Sequence, residues 1–144
     1  MNKIWMNRNI NDKYVVGKVE LSFGECEIAV FRLDGKIPHF HIIGINKEIA
    51  MCIFDHAYYN HDRKYTRLED SDLKILNDFL SSKSKLSEYT EDEEDKNTYW
   101  EEIRSSWFFV VEIKCEHKND CMNYSQPDYT KTGYNDRYER RYIV

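Results

Sequence analysis

The chain is poor in the residues that make hinges. It has two prolines and five glycines in 144 residues, so long flexible linkers are absent and a single domain spanning 1–144 is expected. No apolar run has the length of a signal peptide, and none approaches the ~18–20 residues of a membrane span. The expectation is a cytoplasmic protein of the host cell with no membrane partner. In that compartment the four cysteines, Cys26, Cys52, Cys115 and Cys121, are expected as reduced thiols. Positive charge is also in deficit: 21 basic residues face 26 acidic ones, for a net charge of -5. A general electrostatic grip on nucleic acid is therefore not expected, although a local basic patch stays open. There is no glycine-rich phosphate loop and no Gly-x-Ser-x-Gly elbow. Aromatics, by contrast, are plentiful: 11 Tyr, 7 Phe and 3 Trp argue against a disordered chain.

The first third reads as β-structure. Tyr14–Leu21 alternates loosely and Cys26–Leu33 alternates better, with Cys26, Ile28, Val30 and Arg32 on one face. Asp34-Gly35 is a tight-turn signal. Ile37–Ile43 forms a third strand, with Pro38 suited only to its beginning or an edge. Ile49–Phe54 forms a fourth strand and Ala57–His61 a short fifth. Such short connections make neighbouring strands antiparallel. The period then changes. Leu73, Leu76, Phe79 and Leu80 share one helical stripe behind a cap at Asp70 or Ser71, in a helix running to about Ser82. A second helix starts at Thr98, where Thr98-Tyr99-Trp100-Glu101 is a capping box. Trp100, Ile103, Arg104, Trp107 and Phe108 follow at helical spacing, while 107–113 is rich in β-formers and reads either way. The fold class is α+β: an antiparallel meander of about four to five strands, covered on one face by two helices. An acidic loop at about 84–97 and a polar, tyrosine-rich segment at about 114–144 complete it.

Several clusters carry chemical meaning, each beside a plainer reading. His39 and His41 project from one strand face. At ~7 Å they could share a metal ion or a phosphate, with Asp55, His56, His61 and Asp62 nearby. The plainer reading, two histidines on the polar face of a strand, is preferred. Cys115, His117 and Cys121 suit zinc, but no Cys-x-x-Cys knuckle is present, so two ordinary cysteines are preferred. No metal or cofactor is expected. Cys52 has His56 four residues on, yet it sits in an apolar strand, where a thiol is usually inert. The acidic run, with Glu88, Glu91, Asp92, Glu93, Glu94 and Asp95, either imitates a phosphate backbone or is a solvated loop. The C-terminal segment 131–142 interleaves tyrosine with Arg137, Arg140 and Arg141. It either stacks on bases and pairs phosphates or packs on the sheet.

An ordered set of short motifs carries a resemblance. These are Pro38-His39-Phe40-His41, Cys52-Ile53, Ala57-Tyr58-Tyr59 with His61, Leu73-Lys74 with Phe79-Leu80, Thr98-Tyr99-Trp100-Glu101, Trp107, and Pro127-Asp128-Tyr129. In this order they resemble a family of small uncharacterised proteins of bacteria, their phages and mobile elements. The chain departs from that family at Tyr58 (usually Glu), Tyr99 (usually Asn) and Phe108 (usually Asn). Pro-His-Phe-His also resembles small domains from toxin–antitoxin-like gene pairs. The resemblance implies a genomic setting of conflict with host defence, and no established activity.

The expected function is a non-catalytic binding protein, an inhibitor of bacterial immunity acting on a nuclease effector or a signalling nucleotide. The alternatives are a small metal-dependent hydrolase or nuclease centred on His39 and His41, and a toxin–antitoxin component. A protein partner is preferred over a nucleotide, because no glycine-rich cradle exists for phosphate. The binding candidates are Glu91, Asp92, Glu93 and Glu94 for a basic protein groove. For a nucleotide they are Tyr58, Tyr59, Arg137, His39 and His41, since hot spots favour aromatic and charged anchors.

Overall fold

The computed structural model describes residues 13–31, 38–59, 67–85, 96–110 and 125–132, with side chains in the last helix described as far as Trp107. Arg32, the Asp34-Gly35 turn, His61, Asp62, the acidic residues Glu88–Asp95, the Cys115–Cys121 segment and the Arg137 region lie outside the described residues.

Four strands follow in order: β1 (Lys13–Leu21), β2 (Gly24–Phe31), β3 (His39–Ile43) and β4 (Glu48–Cys52). They form an antiparallel sheet of order β1-β2-β3-β4, the meander that the short connections require. Among the described residues the fifth strand is an isolated bridge between Met51 and Tyr58; Asn60 and His61 lie outside them. After β4 the chain turns back on itself: Cys52 N donates to Ala57 O at 2.9 Å and Tyr59 N to Ala50 O at 2.9 Å. Helix α1 spans Asp70–Ser81 and α2 spans Tyr99–Val110. Through Val110 the ambiguous aromatic run is therefore helical; 111–113 lie outside the described residues.

Strand alternation puts Val19 and Leu21, Cys26, Ile28 and Val30, Phe40 and Ile42, Ile49 and Met51 on one side of the sheet. These residues form a single buried cluster with Leu73, Leu76 and Leu80 of α1 and Trp100, Ile103 and Trp107 of α2. The expected stripe is present, with Phe79 only partly buried at its margin. The two helices reach this core across a β-bulge between Val15 and Gly17. A Cβ at Gly17 would lie 2.8 Å from Tyr99 Cε1 and 3.0 Å from Phe79 Cζ. Only glycine lets those two stacked rings, 4.2 Å apart, close onto the strand.

The helix starts differ from expectation in one case. Thr98 N donates to Glu101 Oε1 at 2.9 Å, and Glu101 N donates to Thr98 Oγ1 at 3.1 Å, so the α2 capping box forms as read. α1 is capped by neither Asp70 nor Ser71. Its cap residue is Glu69, whose side chain makes no capping bond. One of the two carboxylates in that first turn is committed elsewhere: buried Asp72 accepts from Ser22 N at 2.8 Å and Ser22 Oγ at 2.6 Å, tying α1 to the β1–β2 turn.

Candidate functional site

The short motifs converge on one place, the corner where β4 ends at Cys52-Ile53. Ile53 N donates to Pro38 O at 3.1 Å. Ile53 O accepts from Trp100 Nε1 at 3.0 Å and from the Tyr129 hydroxyl at 3.1 Å. The same hydroxyl donates to Cys52 O at 2.8 Å. Tyr129 is wholly buried, held by a single 3-10 turn (Tyr129–Lys131). Asp128 starts that turn by accepting from Thr130 N at 3.0 Å. Two hydrogen bonds from Thr130 hold the exposed Asp128 carboxyl below its usual range, the hydroxyl's being the stronger cause. Burial pushes the Tyr129 hydroxyl well above its ordinary value of 10.0, so it stays a neutral donor. Asn77 of α1 fixes the same segment: its Oδ1 accepts from Tyr129 N at 3.0 Å and from Gln126 Nε2 at 3.1 Å. Pro-His-Phe-His, Cys-Ile, the first helix tryptophan and Pro-Asp-Tyr are thus parts of one backbone lock. At its centre the Trp100 indole N–H and the Tyr129 hydroxyl are buried and donate to carbonyls of the same corner.

His39 and His41 stand on the opposite side of β3 from Phe40 and Ile42. The expected polar face is not what they occupy, because both are 0% exposed. His41 pairs with Ala29 on β2 and Ala50 on β4, whose small side chains leave room for an imidazole. Its ring meets Phe31 edge-on at 4.9 Å and His39 at 5.0 Å. His39 is opposite Cys52 and meets Tyr59 at 4.4 Å and Trp107 at 5.1 Å. The two imidazoles are therefore neighbours, as i and i+2 spacing requires, inside a wall of aromatic rings. Among the described residues no three of His, Cys, Asp and Glu come together in a group that could hold a metal ion. His56 lies 3.6 Å from Asp55, on the turn after β4.

Of the remaining described candidates, Tyr58 is buried, with its hydroxyl accepting from Leu68 N at 2.8 Å and Arg67 over its ring. Tyr59 is half-buried against His39. Cys26 is buried, and burial pushes its thiol above 9.0, the direction of an unreactive sulfur. Glu91, Asp92, Glu93, Glu94 and Arg137 lie outside the described residues.

What is described is how the ends of the acidic stretch are held. Lys83 and Thr98 form an antiparallel bridge. Ser84 N donates to Asn97 O at 2.8 Å and Tyr99 N to Ser82 O at 3.0 Å. Lys83 Nζ reaches Lys96 O at 2.9 Å, and Lys85 N reaches the Tyr99 hydroxyl at 3.4 Å. Residues 86–95 thus leave and return through one closed neck, between the end of α1 and the start of α2. The sequence carried no signal for this neck beyond the capping box at Thr98. Nor did it show that Trp100 and Tyr129 share a carbonyl, although a buried indole N–H and a buried phenol both demand a partner.

No family model, no curated protein and no solved structure matches this chain.

Proposed function

We propose that this protein works by binding another macromolecule, as a phage or mobile-element inhibitor that occupies the basic surface of a nuclease effector of bacterial immunity. The observation that carries the proposal is the closed neck at Lys83–Thr98. It joins the two ends of a stretch whose six carboxylates, from Glu88 to Asp95, are the densest charge in the chain. A basic groove is the complementary surface, and such a contact steers association and weakens with salt. Glu91, Asp92, Glu93 and Glu94 are the proposed contacts.

The burial of His39 and His41 supports the same reading. An imidazole that serves as a metal ligand for hydrolysis must share its metal with water and substrate. Two rings at 0% exposure, packed on Phe31, Tyr59 and Trp107, favour a packing role over a metal site open to substrate. The test is a binding titration of the E91Q/D92N/E93Q/E94Q variant against the captured partner at low and high salt. The proposal expects weak, nearly salt-independent binding by the variant and tight, salt-sensitive binding by the parent. Equal affinities would reject it.

A further inference from the structure

We infer that the second half of β1 pairs with the same segment of a second copy, joining two sheets edge to edge about a two-fold axis. β1 is an edge of the sheet, and among the described residues no strand lies along its outer side. Exposed edges are normally guarded by bulges and lysines. Here the bulge between Val15 and Gly17 guards only the first half, and the ladder from Gly17 to Leu21 is regular.

On that regular half one carboxylate is set against another within the chain, and a second copy would set a lysine opposite it. Glu20 is directly opposite Glu25 on β2, an unfavourable like-charge pair. Among the described residues no cation pairs with Glu20, whereas the exposed Lys18 lies 3.8 Å from Glu25. Lys18 and Glu20 share one side of the strand, since they are two residues apart. An antiparallel pairing centred on Val19 sets Lys18 opposite Glu20 of the second copy and Glu20 opposite its Lys18. Gly17 then faces Leu21, and every residue keeps its side of the sheet. The axis is normal to the sheet, so both helix layers stay on the same side and the β-sheet runs on through eight strands. Five residues per copy make a small contact, well under the about 1,600 Å² of a standard interface. The association is accordingly weak and concentration-dependent.

The test is sedimentation equilibrium of the full chain at rising concentration, with folding of each variant checked by circular dichroism. The parent is expected to pass from monomer to dimer. Lys18→Glu sets Glu against Glu twice, and Glu20→Lys sets Lys against Lys twice. Each should raise the dissociation constant about tenfold or more. Glu20→Lys also removes the clash with Glu25, so this variant should fold at least as well as the parent. The double variant K18E/E20K re-creates both opposite-charge pairs and should recover the parent's dimer. A parent that stays monomeric at every concentration overturns the inference, and is the result expected if β1 takes an extended segment of another protein instead. A dimer indifferent to either single substitution, or not recovered in the double variant, also overturns it.

Discussion

The corner at Cys52-Ile53 and the neck at Lys83–Thr98 are built from similar backbone bonds and do opposite things. At the corner, the groups that look most chemical in the sequence turn inward: the Tyr129 hydroxyl and Trp100 Nε1 close on carbonyls of β4 and the residue after it. Beside it, on the other side of β3, His39 and His41 are wrapped in aromatic rings. At the neck, the described bonds use backbone atoms and two side-chain ends, Lys83 Nζ and the Tyr99 hydroxyl. The lesson is that a conspicuous motif can mark a place where the fold is fastened.

The comparison breaks most visibly at the corner side. Trp107→Ala removes a wholly buried indole that touches His39, and Trp100→Ala also leaves Ile53 O with one donor fewer. Each should lower the stability measured by denaturant unfolding by roughly 3–5 kcal/mol. An unchanged cooperative transition for Trp107→Ala would refute this packing. His41→Ala opens a cavity between Ala29 and Ala50 and should cost about 2 kcal/mol or more. If His41 were a surface ligand instead, the cost would be near zero.

Tyr129→Phe keeps the ring and removes the hydroxyl. It leaves the buried Cys52 O without that donor, at a cost of about 1–3 kcal/mol. The same residue gives a pH signature. Its hydroxyl ionises at a higher pH in the folded state than in the unfolded state. The folded state therefore holds this proton more tightly. The contribution is fully present below the ordinary value of 10.0 and is lost as pH rises above it. The stability gap between parent and Tyr129→Phe should narrow between neutral pH and pH values above that. A gap constant with pH would mean that the hydroxyl is not the buried donor described here.

Much of this was legible before any coordinates. The period-2 runs, the tight connections and the leucine stripe gave the meander and the helices, because each is a local pattern. The Thr98–Glu101 capping box was legible for the same reason. At the start of α1 the expected caps were Asp70 or Ser71 and the cap residue is Glu69; the bond from Asp72 to Ser22, fifty residues away in sequence, was not legible either, because no local rule contains it. Of the fifth strand, residues 57–59 return beside β4 through the Met51–Tyr58 bridge, and Asn60 and His61 lie outside the described residues. The histidine pair was placed on one face of the correct strand, but that face was expected to be polar and is buried. Its burial was not legible, since two histidines in alternation look the same whether water or Phe31, Tyr59 and Trp107 lies over them.

The smallest expected effect on stability belongs to the acidic stretch. The proposal expects E91Q/D92N/E93Q/E94Q to melt within about 0.5 kcal/mol of the parent, the range of ordinary surface substitutions. The most direct test of the central claim is therefore partner binding by this variant, read beside its melting curve and beside H39A/H41A. The account predicts a quadruple variant that melts like the parent and has lost salt-sensitive binding, and a histidine variant whose binding fails only to the extent that its fold is weakened. Full binding by the quadruple variant, with binding lost in a histidine variant that remains folded, would contradict it and move the site to the sheet.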